Sequence, residues 1–221
     1  MKNWIRTTAV IAATGTLAFG AVGCGKKSTE SATSSTTSTS TSAVPVNKQT
    51  TIQDYIKESK ITEVAISPTD QGVPIIGLPF PPGWVSAGAN TPPWSFGAIL
   101  FAQPKDPNNP PNVIAAMSKL TGNVDPAKIL DYAPNEMRNM GSFAPIGEPS
   151  RVKVGGYDAV QAGGTYIKND IKRAIIQTTV VIPAKDAGVF VLQMNADAPA
   201  DQEPVLADAV KALNSETKIT V

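Results

Sequence analysis

The chain reads as an α+β protein, an antiparallel sheet with helices gathered at its edges. Three observations carry that reading. Tyr157–Ile167, Ile171–Ile182 and Val189–Asn195 are strand runs joined by Lys168-Asn169-Asp170 and by Lys185-Asp186-Ala187-Gly188. Connections that short force neighbouring strands to pair antiparallel. A helix follows from about Asp201 to Leu213, with Val205, Leu206, Ala209, Val210 and Leu213 on its inner face. Finally, helical patterns do not alternate with strands along the chain, which separates it from the doubly wound α/β class.

The remaining elements follow in order. Thr51 can cap a helix whose Ile52, Tyr55 and Ile56 fall on one face, with Asp54 placed to complete a capping box. Ile61–Ile66 alternates apolar and polar, the period of a half-buried strand. Pro68–Gly72 is a turn, Pro74–Phe80 a second extended run, and Pro81-Pro82-Gly83 ends it ahead of Trp84. Trp94–Ala102 reads as an apolar strand, followed by a Pro/Asn loop from Pro104 to Pro111. Asn112–Leu120 is ambiguous by pattern, and its place between two loops favours strand. Asp125 as N-cap and Pro126 at the first helical position open a helix reaching Met140, with Ile129, Leu130 and Met137 inward. Pro134 has no N–H to donate and should kink or split it. Gly163-Gly164, inside a strand run, points to a bulge or a close backbone approach. Lys218–Val221 is a short closing strand.

Three segments are expected. Residues 1–23 have the form of a secretory signal: Lys2 and Arg6 at the start, an apolar run from Thr7 to Phe19, then Gly20-Ala21-Val22-Gly23. Cys24, the single cysteine, follows at once, the position at which bacterial lipoproteins receive diacylglycerol before the signal is removed between Gly23 and Cys24. A membrane span is the competing reading, but the apolar run is shorter than the roughly 20 residues required and is diluted by Thr and Gly. An ordinary signal cut after Gly20 is the other, supported by Ala21 standing where lipid-attachment sites prefer Leu. It would leave a lone thiol in an oxidising compartment. Residues 24–50 are a tether: Ser28–Ala43 is almost all Ser and Thr and cannot bury enough apolar surface to order itself. The same composition suits an O-glycosylated stalk. Residues 51–221 form one domain, long enough to hold a core without disulfides.

Composition narrows function mainly by exclusion. Without Lys2 and Arg6 the 19 basic residues become 17 against 18 acidic ones, a net charge of −1. Near-neutrality with no basic patch argues against nucleic acid and against electrostatic membrane docking. The chain has no histidine, which removes Ser-His-Asp and Cys-His catalysis and His-ligated metals. Gly20–Lys26 imitates a phosphate-binding loop, but Lys27 stands where Ser or Thr is needed. Ser150-Arg151-Val152-Lys153 fits Ser-x-x-Lys without its companion motifs and reads as a surface strand edge. No catalytic residue, cofactor or metal ligand is therefore expected.

Several segments resemble the LpqN/LpqT family of mycobacterial lipoproteins: Ser118-Lys119-Leu120-Thr121-Gly122-Asn123-Val124-Asp125-Pro126-Ala127-Lys128-Ile129-Leu130, Tyr157-Asp158-Ala159-Val160-Gln161 with Gly163-Gly164-Thr165-Tyr166, Thr179-Val180-Val181-Ile182-Pro183, and Val191-Leu192-Gln193-Met194-Asn195-Ala196-Asp197. The likeness runs over about Ile52–Val221. It implies a Mog1/PsbP-like sheet-and-helix fold that binds without chemistry of its own, and attachment in a mycobacterial envelope.

The resulting expectation is a non-enzymatic lipoprotein on the extracytoplasmic face of the cell membrane, held by lipid at Cys24. Its domain binds an envelope or host protein, or an envelope lipid transporter. The alternative is a lipid carrier or chaperone in mycolate envelope assembly, which needs a real cavity. The candidate surface is Trp84, Trp94 and Phe96, interleaved with prolines. These aromatics either fill one end of the core or line an apolar groove.

Overall fold

The computed structural model describes residues 48–221. Its elements run α1 (Ile52–Glu58), β1 (Thr62–Ile66), β2 (Ile75–Gly77), β3 (Trp84–Ser86), β4 (Gly97–Phe101) and β5 (Asn112–Thr121). Then come α2 (Pro126–Tyr132), α3 (Asn135–Arg138), β6 (Ala144–Pro145), β7 (Ser150–Val154), β8 (Tyr157–Lys168), β9 (Ile171–Pro183), β10 (Val189–Pro199), α4 (Glu203–Glu216) and β11 (Lys218–Thr220). Short 3-10 turns cover Gly88–Asn90 and Ala200–Gln202.

Local chemistry explains most boundaries. At α1 the Asp54 N–H donates to Thr51 Oγ1 (3.1 Å) and the Thr51 N–H donates to Asp54 Oδ2 (3.0 Å), the reciprocal capping box. Asp125 Oδ1 accepts from the Ala127 N–H at 2.9 Å, and Pro126 opens α2. Pro134 does split the predicted long helix, with α2 ending before it and α3 starting after it. Asn169 and Asp170 both take positive φ (50° and 60°), the conformation a two-residue hairpin turn requires.

Nine strands form one antiparallel sheet in the order β3-β4-β5-β10-β9-β8-β6, with β1 also on β5 and β7 also on β8. The expected meander β8-β9-β10 is its heart. Its central strand β10 runs beside β5 from Val189↔Leu120 to Asp197↔Asn112. The α+β class with an antiparallel sheet is thus the observed one. The register of β8 on β9 passes unbroken through Gly163 and Gly164, so no bulge forms there. The glycine pair answers to close approach instead: a Cβ on Gly164 would lie 2.5 Å from the Ala144 carbonyl oxygen and from the Phe143 ring.

Other expectations needed adjustment. The extended run Pro74–Phe80 contributes only β2, which leaves the main sheet and pairs with β11. β3 and β6 were not foreseen, being three and two residues long. Too short to show a period, they exist because β4 and β8 offer open edges. Gln49 and Thr50, which the sequence assigns to the tether, are hydrogen-bonded to α3 and the residue that caps it. Asn139 Nδ2 donates to the Gln49 carbonyl (2.7 Å), the Gln49 N–H donates to Asn139 Oδ1 (2.9 Å), and Asn135 Nδ2 donates to the Thr50 carbonyl (2.7 Å).

Alternation along the strands builds two cores. One face of the sheet packs Val113, Met117, Leu192 and Met194 against Leu206 and Leu213 of α4. The other face packs Leu120, Val181 and Val191 against Ile52 and Tyr55 of α1 and Ile129 of α2. The second cluster uses one end of the strands only. Among the described residues no helix lies over the other end of that face, and this is where a site opens.

Candidate functional site

Residues at alternate positions share a sheet face, so those in step with Val191 and Val181 continue past the helices. They are Gln193, Asn195 and Asp197 on β10, and Thr179, Gln177, Ile175 and Arg173 on β9, with Ile114 and Asn112 alongside on β5 and Tyr166 on β8. Asn195, Asp197, Ile175, Arg173, Ile114, Asn112 and Tyr166 floor a cleft of about 530 Å³. Ala87, Asn90 and Pro92 make one wall, Asn108–Pro110 another, and the β8–β9 turn at Lys168 and Asn169 a third.

The floor holds a closed polar cluster. Arg173, 7% exposed, donates to Asp197 Oδ1 through Nε at 2.6 Å and also through Nη2. The Tyr166 hydroxyl donates to Asp197 Oδ2 at 2.5 Å. Gln177 Nε2 donates to Asn195 Oδ1 at 2.9 Å in the next row. Burial, reinforced by the Asp197 carboxylate, pushes the Tyr166 phenol up to about 12. Burial works against the Arg173 charge, but Asp197 outweighs it and holds the guanidinium above its ordinary range. The cluster is thus an internally neutralised ion pair with a fixed phenol. Around it, what faces the cleft is neutral apart from Lys168 on the turn: amides of Asn90, Asn112 and Asn195 beside apolar Leu100, Ile114 and Ile175.

Farther along the same face Glu136 of α3 is half-buried with its carboxyl toward Gln193 and Gln177. Burial raises its pKa, with Glu63 adding repulsion and the two amides opposing. A larger hollow of about 820 Å³ lies between the start of α2 and β7–β8, near Pro126, Leu130, Arg151 and Tyr157. It has no comparable cluster of buried charges, so the smaller cleft is the better-built site. No group of three or more Asp, Glu, His or Cys side chains that could hold a metal occurs among the described residues.

The sequence-predicted site residues fall as follows. Gly23 and Cys24 lie outside the described residues, as does the glycine pair at Gly20–Lys26. Trp84 is 5% exposed in the α4-side core, its ring tilted against Phe101 at 5.8 Å. Phe96 packs partly buried against the same core, whereas Trp94 is 50% exposed on the loop between β3 and β4. None of the three lines the cleft, although Ala87, Asn90 and Pro92 of that loop do. Ser150–Lys153 is strand β7, and Lys153 pairs with Asp158 at 2.7 Å. The cleft residues Asn195 and Asp197 carried a signal that composition alone misses: with Gln193 they put a polar group at every second position of an otherwise apolar strand.

The model of a family described as probable lipoprotein LpqN matches residues 48–220. Lipoprotein LpqN of Mycobacterium tuberculosis (strain ATCC 25618 / H37Rv) is 44% identical over 172 residues, covering 77% of this chain and 74% of that protein. The crystal structure of LpqN involved in cell envelope biogenesis of M. tuberculosis superposes with a TM-score of 0.73 at 43% identity, covering 78% of this chain and 98% of that one. Matches of that extent show the family: the chain belongs to the LpqN lipoproteins.

Proposed function

We propose that this lipoprotein receives diacylglycerol at Cys24 before cleavage behind Gly23, stands on the extracytoplasmic face of the cell membrane, and works by binding a protein partner of the envelope or host rather than by catalysis. The observation that carries the binding reading is the open half-sheet. Its floor is built around the buried Arg173, and the two charges of that floor neutralise each other. Asp197 has donors on both oxygens and Tyr166 keeps its proton past neutrality, so neither is free as a base. Neutral amides beside apolar side chains suit a partner segment that supplies backbone or uncharged polar groups. The core between the sheet and α4 is filled, its void beside Leu78, Val113, Met194 and Leu213 being about 20 Å³, so an acyl chain has no room there.

One observation favours the carrier alternative. The cleft exceeds the roughly 300 Å³ at which small-ligand pockets begin, and Ala98, Leu100, Ile114 and Ile175 give it an apolar side. An Ala98→Phe substitution separates the two, because it fills the cleft from a partly exposed strand position. Crosslinking from native membranes should lose the partner in this variant while thermal unfolding stays the same. Unchanged crosslinking would remove the cleft from the binding reading. A lipid that co-purifies in equal amount with the wild type and vanishes in the variant would install the carrier. Cys24→Ser should abolish metabolic palmitate labelling, and equal incorporation would overturn the anchor.

A further inference from the structure

From Gln71 to Pro104 the chain carries no charged side chain, although 17% of its residues are charged overall. Past β2, which pairs with β11 in a separate two-stranded sheet and leaves Ile75 74% exposed there, the run builds the outer margin of the main sheet: β3 is the edge strand, β4 lies inside it, and the loop between them walls the cleft. Three further large apolar side chains stand out of it, Phe80 (60% exposed), Val85 (48%) and Trp94 (50%). Trp84 points the other way into the core, so the exposure of Val85 follows from strand alternation rather than from a loose segment. Val85 pairs with Leu100, which lines the cleft. The margin and the cleft mouth are therefore neighbours.

We propose that this uncharged margin seats against the interfacial layer of a lipid bilayer, with Trp94, Phe80 and Val85 entering it. Two features select a bilayer over a protein. Protein interfaces carry a polar, hydrogen-bonding rim and favour arginine, whereas residues 71–104 offer no charge of either sign. Charged groups are the costly ones near hydrocarbon, and a half-exposed tryptophan is suited to the water–lipid boundary, with an apolar ring and one N–H. The occupant is also at hand, since the chain belongs to a lipoprotein family. Contact of this kind is shallow, reversible and independent of counter-ions. It would bring the mouth of the cleft to the lipid surface.

The test uses residues 48–221 without lipid modification, a segment that holds both hydrophobic clusters, mixed with vesicles of neutral phosphatidylcholine. This separates the margin from the anchor at Cys24. Trp94 should shift its emission to the blue and be quenched by brominated lipid, while buried Trp84 stays silent. Binding should persist above about 0.5 M salt, where screening is nearly complete. Phe80→Asp with Trp94→Asp should lower vesicle affinity about tenfold or more, with circular dichroism and melting as in the wild type. Val85→Asp is the single-site check should that pair fail to fold. The Ala98→Phe cleft variant should still bind vesicles, so failure of the cleft reading and failure of this one are told apart. Unmoved Trp94 emission with vesicles, or equal affinity in the Asp variants, would overturn the proposal. So would loss of a protein crosslink in those variants without any vesicle binding by the wild type.

Discussion

Asp197 accepts from Arg173 on one oxygen and from Tyr166 on the other, and Arg173 is almost wholly covered. Deleting one partner of such a pair strands a buried charge, so Arg173→Ala should cost about 3–5 kcal/mol in urea unfolding. Tyr166 gives a pH signature. Its pKa rises from 10.0 to about 12, so at high pH the folded state holds a proton that the unfolded state releases. Stability should therefore fall as pH climbs from about 10 to about 12, and Tyr166→Phe should remove that slope. Glu136 behaves in the same sense in the acid range. Its folded pKa lies above 4.5, so its contribution is fully present below that value and is lost as pH rises through the folded one. Glu136→Gln should gain in melting temperature over the wild type between about pH 4 and about pH 7. The tryptophans part company here too. Trp84→Ala should cost about 3–5 kcal/mol and Trp94→Ala no more than about 0.5 kcal/mol, both read by denaturant unfolding.

Elements whose signals are local were legible in the bare chain. Thr51 and Asp54 announce α1, Asp125 and Pro126 announce α2, and Pro134 announces the break. The hairpin of β8 and β9 is readable from Lys168-Asn169-Asp170. What could not be read depends on pairing between distant segments. β2 owes its existence to β11, β3 to the free edge of β4, and the cleft to there being no helix, among the described residues, over Asn195 and Arg173. The polar alternation on β10 was visible, but it only says that a face meets something other than oil. At Gly164 the reason is likewise tertiary, because the Phe143 ring and the Ala144 carbonyl crowd it. Gly164→Val should lower stability by about 1–3 kcal/mol through overpacking, checked by thermal melting. The start of α1 makes a further demand. A chain beginning at Thr51 loses the Thr50 carbonyl that satisfies Asn135, itself 9% exposed. It should be about 1–3 kcal/mol less stable than one beginning at Lys48, although both should unfold cooperatively.

At the scale of the whole molecule, the strand β5 has β1 and β4 on one side and β10 on the other, and everything from α2 to β9 lies between β5 and β10 in the chain. The middle of the sheet therefore cannot zip up until residues 189–199 are available. Pairings between segments so far apart in sequence make folding slow, on the order of milliseconds to seconds. Any chain made from its N-terminus presents β5 well before β10. β5 therefore waits with one long side unpaired until residues 189–199 have followed, and early closure of the sheet is prevented by strand order alone.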